Sequence, residues 1–317
     1  AAAAGHEAGA VLRLPYREPF PWESVLAFLA ARVIPGVEAV GGGTYRRTVR
    51  VGPATGAVEV ERPPRTGWLL ARVALSDLGQ LAALRGRLRR LFDLDADPAA
   101  IDPVLARDPL LAADVAARPG QRVPGAWDGI EIGVRAILGQ QISVAGARTL
   151  AGRIAARWGE PAGDGGLARL FPTAAALAEA DLAAVGVMPA RARAVRALAR
   201  ALAAEPDLLA PHRPHGETVR RLEALPGIGP WTAQYIALRA LRDPDAFPAA
   251  DLGLLRAAAG APGRPLTPRR LLERAEAWRP WRAYAAARLW TMATPAKAKE
   301  IEPRRPEPEP ATAAVGA

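Results

Sequence analysis

Leu225-Pro226-Gly227-Ile228-Gly229-Pro230-Trp231-Thr232-Ala233 joins two helical stretches, and its reading decides the fold. Glu217 to Ala224, before it, predicts a short helix. Pro230 to about Leu241 predicts a clearer one, with Trp231, Tyr235 and Leu238 near helical spacing on one side. Proline suits a first helical position. Gly227 and Gly229 let the backbone turn tightly and approach a partner. Their N–H groups, with those of the following helical turn, form a concave set of donors suited to a phosphate oxygen. An ordinary helix–helix corner satisfies the same pattern.

Downstream, the polar loop Arg242-Asp243-Pro244-Asp245-Ala246-Phe247-Pro248 precedes a helix starting near Asp251, in Ala249-Ala250-Asp251-Leu252-Gly253-Leu254-Leu255-Arg256. Aspartate is a favoured N-cap, so capping alone accounts for Asp251. A Gly/Pro-rich hairpin followed at this spacing by an Asp-led helix resembles the helix–hairpin–helix DNA glycosylases. Gly133-Val134-Arg135-Ala136-Ile137-Leu138-Gly139-Gln140-Gln141-Ile142-Ser143 resembles that family's early helix–turn segment beside the DNA. Trp278-Arg279-Pro280-Trp281-Arg282-Ala283-Tyr284-Ala285, with Trp290, resembles its closing helix. With an N-terminal α/β segment, these stretches resemble the bacterial 3-methyladenine DNA glycosylase II (AlkA-like) branch over residues 11 to 293.

Composition is compatible with this. The formal charge is +10 and the pI about 11.0, a balance that favours polyanionic partners, nucleic acid first. A GC-rich genome, which favours Arg over Lys, would produce the same charge. The absence of Cys excludes disulfides, thiolate zinc sites and cysteine-bound iron–sulfur clusters. No apolar run reaches membrane-spanning length and no signal peptide precedes the fold, so a cytoplasmic location beside the DNA is expected. The chain begins Ala1-Ala2-Ala3-Ala4, which leaves open that it is a piece of a longer protein. Some relatives are fused to an alkyl-transfer domain, whose catalytic cysteine is missing here.

The predicted fold class is α+β. Residues 1–10 are expected to be disordered, and 11–97 to form a mostly antiparallel α/β layer of order β-α-β-β-β-α. Its strands are Val11–Leu14, Tyr45–Val51, Ala57–Glu61 and Trp68–Leu75. Its helices are Trp22–Val33 and a second that Ser76 caps, ending near Phe92. Asp93-Leu94-Asp95-Ala96-Asp97 fails as a calcium loop, since Pro98 and Val104 stand where Gly and Glu are needed, and is a polar junction. Residues 98–294 are expected to be all helical, the helix–hairpin–helix glycosylase region with two subdomains flanking a cleft. Expected helices there include 129–141, 143–158, 190–203, 217–225, 230–241, 251–259 and 280–293. Glu160 to Gly166 reads as a loose loop, and 295–317 as a disordered Pro/Glu-rich tail. The loop His212-Arg213-Pro214-His215 contains no Cys or acidic residue, which argues against a metal site.

A lone carboxylate beside a DNA-binding hairpin can join a metal cluster, act as a base, or oppose a developing positive charge. No second acid follows Asp251 within two turns, and Asp243 and Asp245 lie in the preceding loop, which disfavours a two-metal nuclease. Cleaving an N-glycosidic bond gives the sugar oxocarbenium character, which one preorganised negative charge would stabilise while orienting water. The resemblance assigns that role to Asp251. An aromatic stripe such as Trp231 and Tyr235 is commonly core, but the family's base pocket falls at Trp231, Tyr235 and Trp290. Those faces would hold an extruded, positively charged alkylpurine. Where strand-cutting members carry a Lys nucleophile, this chain has Trp231, which predicts a monofunctional enzyme without lyase activity.

DNA contact is expected from Gly227, Gly229 and Thr232 on a phosphate, and from Gln141, or Ile142, in the gap left by the extruded base. The resemblance also implies a structural monovalent cation on the carbonyls of Glu223, Leu225 and Ile228, with no cofactor required. Partners are double-stranded DNA with alkylated bases and no membrane, for a chain expected to be monomeric. The competing readings are a non-catalytic helix–hairpin–helix DNA-binding module and a monofunctional glycosylase for another lesion.

Overall fold

The structure, a computed structural model, describes residues 8–64, 67–162, 167–259 and 266–293. Its N-terminal part contains β1 (Ala8–Pro15), α1 (Trp22–Ala30), β2 (Glu38–Gly41), β3 (Thr44–Val51), β4 (Ala54–Glu61), β5 (Trp68–Leu75) and α2 (Leu81–Leu91). The five strands form one fully antiparallel sheet in the order β1-β5-β4-β3-β2. Strict alternation of burial along β4 fits a sheet with one face on a core. That core joins Leu14, Tyr45, Val49, Val58 and Val60 of the sheet to Trp22, Val25, Leu26 and Leu29 of α1 and Leu84, Leu88 and Leu91 of α2.

The observed elements depart from the expected ones at several points. β1 begins at Ala8, within the stretch expected to be disordered, because each of its residues pairs with β5. β2 was missed; its Glu38-Ala39-Val40-Gly41 lacks a strong alternating signal but pairs with β3 across a Gly42-Gly43 turn. β4 begins at Ala54 rather than Ala57: Gly56 lies within the strand, where a Cβ would fall 1.9 Å from the Ala74 carbonyl oxygen of β5. Ser76 caps no helix. Its hydroxyl accepts from the Thr55 N–H at 3.1 Å, while Asp77 caps the short 3₁₀ turn before α2. α1 stops at Ala30, short of Val33.

The second part is helical: α3 (Pro98–Leu105), α4 (Pro109–Ala117), α5 (Gly129–Leu138), α6 (Val144–Trp158), α7 (Ala174–Ala178), α8 (Pro189–Ala204), α9 (His215–Glu223), α10 (Pro230–Ile236), α11 (Leu252–Ala258), α12 (Pro268–Ala275) and α13 (Arg282–Ala293). Asp, Ser or Thr side chains cap α3, α4, α5, α6, α7, α11 and α12 by accepting a backbone N–H of the first turn. α5 ends at Leu138, three residues before the expected end, since Gln141 takes a left-handed φ of 56°. α10 widens into a π-turn over Ala237–Leu241, a feature frequent at functional sites. Residues 163–166 of the expected loose loop and the tail 295–317 lie outside the described residues.

Two buried polar clusters weld the parts together. The Glu38 carboxylate accepts from the Ile34 N–H at 2.9 Å and the Tyr45 hydroxyl at 2.6 Å, and also meets the Arg135 guanidinium. Beside it, Arg47 of β3 and Glu131 of α5 pair at 2.7 Å. Burial alone would raise the pKa of Glu131, but Arg47 and Arg135 hold it below the usual carboxylate range. In the second cluster, Asp93 of the polar junction accepts from the Val123 N–H at 2.8 Å and the Tyr284 hydroxyl at 3.2 Å, and pairs with Arg242.

Candidate active site

The hairpin forms where the sequence places it, between α9 and α10. Gly227 adopts φ +79°, and a Cβ there would lie 2.7 Å from the Ala194 methyl of α8, so both conformation and space require glycine. Gly229 does not share this need: its φ is −87° and a Cβ would meet nothing within 4 Å. It is the N-cap residue of α10, and the side that a Cβ would occupy is open. Thr232 is buried at 2% exposure, and its hydroxyl accepts from Gln140 Nε2 at 2.9 Å. Its side chain is thus engaged inside the protein. The Leu225 carbonyl accepts the Ile228 N–H at 3.2 Å.

Asp251 caps α11 through Oδ1, which accepts the Leu254 N–H at 3.0 Å. The same oxygen accepts the Trp290 indole N–H at 3.0 Å, and Oδ2 accepts the Trp231 indole N–H at 2.9 Å. Three neutral donors therefore hold the carboxylate, and among the described residues no cationic side chain pairs with it. Packing of α11 against α13 brings Trp290 to the helix start. The loop before Asp251 is tied down by the Phe247 N–H, which donates to Gln234 Oε1 of α10 at 3.1 Å.

The three expected pocket aromatics form one half-buried wall. Trp231 and Tyr235 stack with centroids 5.5 Å apart and an interplanar angle of 13°, and Tyr235 meets Trp290 edge-on at 6.0 Å. Stacked this closely, Trp231 and Tyr235 leave no slot between them for a third planar ring. Gln141, exposed on the turn after α5, is not among these residues.

Five residues not expected from sequence also contribute. Gln140 donates to the Gly227 carbonyl at 3.0 Å as well as to Thr232, tying the turn to the hairpin. Gly253 packs beside the carboxylate, where a Cβ would lie 3.0 Å from Asp251 Oδ1 and 3.4 Å from Trp290 Cδ1. Arg239, in the π-turn, donates to the Tyr235 hydroxyl at 2.8 Å and the Gly125 carbonyl at 3.0 Å. Phe28 of α1 lies 4.8 Å from the Arg239 guanidinium and 3.9 Å from that of Arg32, which brings the N-terminal part to the back of the aromatic wall. Burial alone would raise the Tyr235 pKa, but Arg239, with Arg32 and Arg135, brings it below the usual tyrosine range. Only these long-range neighbours distinguish Phe28 of α1 and Arg32 of the turn after it, so no local signal could have marked them.

His215 opens α9 and its Nδ1 lies 3.3 Å from Asp243 Oδ2, an acidic neighbour invisible in sequence. No group of three His, Cys, Asp or Glu side chains suited to a metal occurs among the described residues. No helix among them is long and apolar enough to cross a membrane.

A Gly-rich hairpin and an Asp-capped helix, set in a helical body fused to an antiparallel sheet, define the helix–hairpin–helix class of DNA repair folds. Residues 11–128 match the AlkA N-terminal domain, and residues 134–283 match the HhH-GPD superfamily base excision DNA repair protein model. The chain is 37% identical over 283 residues to DNA-3-methyladenine glycosylase 2 of Escherichia coli, covering 87% of this chain and 95% of that one. It is 45% identical over 282 residues to the probable bifunctional transcriptional activator/DNA repair enzyme AlkA of Mycobacterium tuberculosis, covering 88% of this chain but only 56% of that longer protein. The solved 3-methyladenine DNA-glycosylase from Archaeoglobus fulgidus shares the fold, with a TM-score of 0.78 at 24% identity over 89% of this chain and 98% of that one. The chain belongs to the HhH-GPD superfamily of base excision DNA repair proteins, in the group with an AlkA N-terminal domain.

Proposed function

We propose that the chain is a monofunctional DNA glycosylase that extrudes alkylated bases such as 3-methyladenine from double-stranded DNA and hydrolyses their N-glycosidic bond. The observation that carries this reading is the Asp251 carboxylate, fixed by three N–H donors with no cationic partner among the described residues. As the C1′–N bond breaks, its electron pair leaves with the base and positive charge grows on the sugar. The fixed negative charge of Asp251 opposes it without reorganising. Water then adds to C1′, and its proton passes to the carboxylate or the departed base. Outer faces of Trp231, Tyr235 and Trp290 would hold the base.

Strand cleavage through a Schiff base needs an amine nucleophile. Trp231 presents an indole to Asp251, and the only lysines in the chain are Lys297 and Lys299, beyond α13. DNA grip would use the backbone N–H groups at Gly227, Gly229 and Thr232. A monovalent cation on the Glu223, Leu225 and Ile228 carbonyls fits in part: the Leu225 oxygen already accepts one N–H and keeps its second lone pair. Such a chain would act as a monomer wherever the DNA lies.

One observation favours a second reading, a glycosylase for uncharged lesions. Arg239 donates to the Tyr235 hydroxyl at 2.8 Å, and with Arg32 nearby makes that end of the wall positive, while Arg135 is paired with Glu38 and Glu131. This opposes selection of a cationic base, whose attraction to an aromatic face is about 0.5–2 kcal/mol. Base release from methylated and from deaminated duplexes decides between the two. Release of 3-methyladenine in preference to hypoxanthine supports the first, the reverse supports the second, and DNA binding with no release of either leaves only a DNA grip.

A further inference from the structure

We infer that Gln140 is a positioning residue that fixes the depth of the Gln141 turn relative to the hairpin, so that phosphate grip and base extrusion act as one device. The inference rests on the DNA-binding part of the function proposed above. Gln140 Nε2 lies 3.0 Å from the Gly227 carbonyl oxygen and 2.9 Å from Thr232 Oγ1. A carbonyl can only accept, so the amide nitrogen must be the group that faces it. Gln140 thereby bonds to both sides of the hairpin, one partner before α10 and one within it.

Its other end is held as well. The Gln140 carbonyl accepts from the Arg191 guanidinium of α8. Ala194, three residues further along α8, is the residue packed under Gly227. Arg191 and Ala194 lie on one face of that helix. A single helix therefore registers the turn and the hairpin against each other, and Gln140 is the direct bond between them.

Gln141 follows immediately. It is exposed, and its φ of 56° is left-handed. A non-glycine residue pays for such a conformation and keeps it where the surroundings over-determine it. The three bonds of Gln140 supply that constraint. With the clamp intact, seating the hairpin on a phosphate delivers Gln141 to the duplex at one fixed depth. With the clamp broken, the hairpin can still seat but the turn is free to ride at other depths.

The test measures binding of the full chain to an undamaged duplex and to a duplex with a tetrahydrofuran abasic analogue, with extrusion followed by 2-aminopurine fluorescence. Gln140→Glu keeps the shape but sets a carboxylate against the Gly227 carbonyl, and Gln140→Leu removes the donor. Thermal unfolding checks that each variant is folded, and the one that folds decides the outcome. We expect the preference for the abasic duplex and the fluorescence gain to fall about tenfold, as expected for losing two hydrogen bonds. Binding to the undamaged duplex should change by less than about threefold, since phosphate contacts dominate it. Unchanged preference and fluorescence would overturn the inference. So would an equal loss on both duplexes, because Gln140 would then merely support the hairpin, and so would a native chain with no abasic preference. None of these readouts depends on base release, so a failure to excise alkylated bases is distinguishable from a failure of the clamp.

Discussion

The indole N–H of Trp231 donates to Oδ2 of Asp251 at 2.9 Å, across twenty positions of sequence. The first residue after the hairpin's proline thereby orients the carboxylate at the head of another helix. Asp251→Asn preserves size but not this arrangement. An amide offers one acceptor oxygen, whereas donors face both carboxylate oxygens, so one indole N–H would confront an NH₂. With the negative charge also gone, base release should fall on the order of 10²–10³-fold. Binding to undamaged duplex should hold, and quantified side by side the two measurements separate chemistry from grip.

The two indoles are not equivalent. Oδ2 accepts only from Trp231 among the bonds described, while Oδ1 keeps the Leu254 N–H if Trp290 is lost. Trp231→Phe should therefore slow single-turnover release more than Trp290→Phe, by roughly tenfold for a hydrogen bond to a charged group. Equal effects would mean that the aromatic faces matter and the N–H groups do not.

Gly227→Ala should be costly for two independent reasons, the left-handed φ and the 2.7 Å approach to Ala194. We expect about 2 kcal/mol of lost stability and weakened DNA binding. Adding Ala194→Gly relieves the contact but not the backbone, so the double variant should recover part of the loss in a denaturant titration. Gly229→Ala, with open space around its Cβ, should leave stability unchanged and report on DNA approach alone.

Asp108 caps α4 and also accepts from Arg274 Nε at 3.0 Å and Trp278 Nε1 at 2.8 Å. Burial alone would raise its pKa, but hydrogen bonds from Arg274, the Leu110 N–H and Trp278 bring it below the usual carboxylate range. A depressed folded-state value means that its stabilisation is fully present above the unfolded pKa, near 3.9, and is lost as pH falls through the lower folded value. Asp108→Ala should cost about 2 kcal/mol at neutral pH. The difference from the native chain should shrink on acidification below pH ~4.

The hairpin and the Asp-led helix were legible because each has a local signature, Pro226-Gly227 and Asp251, whereas Trp231, Tyr235 and Trp290 were joined as a set only by the family resemblance. The strands β3, β4 and β5 showed by alternation. β2 was not legible, since four residues carry too few alternations and owe their pairing to β3. Gly229 and Thr232 looked like equivalents of Gly227, yet one faces open space and the other turns its hydroxyl inward to Gln140. Backbone conformation and the side-chain partner separate these roles, and neither is written in residue type. Phe28 and Arg32 stayed hidden because they reach the aromatic wall from α1 and the turn after it, some two hundred residues upstream of Tyr235.

Asp93 sits where the sheet-bearing part ends, yet its carboxylate is spent on Arg242, Tyr284 and the Val123 N–H, all in the helical part. A boundary drawn by residue number is therefore no seam in the molecule. Cutting the chain at 97 would strand the Arg242 guanidinium without its counter-charge and open the Phe28 side of the aromatic wall to water. Neither half should melt as an independent body. One calorimetric transition is expected for the intact chain, and a helical remnant made by truncation should be partly unfolded rather than a smaller folded body.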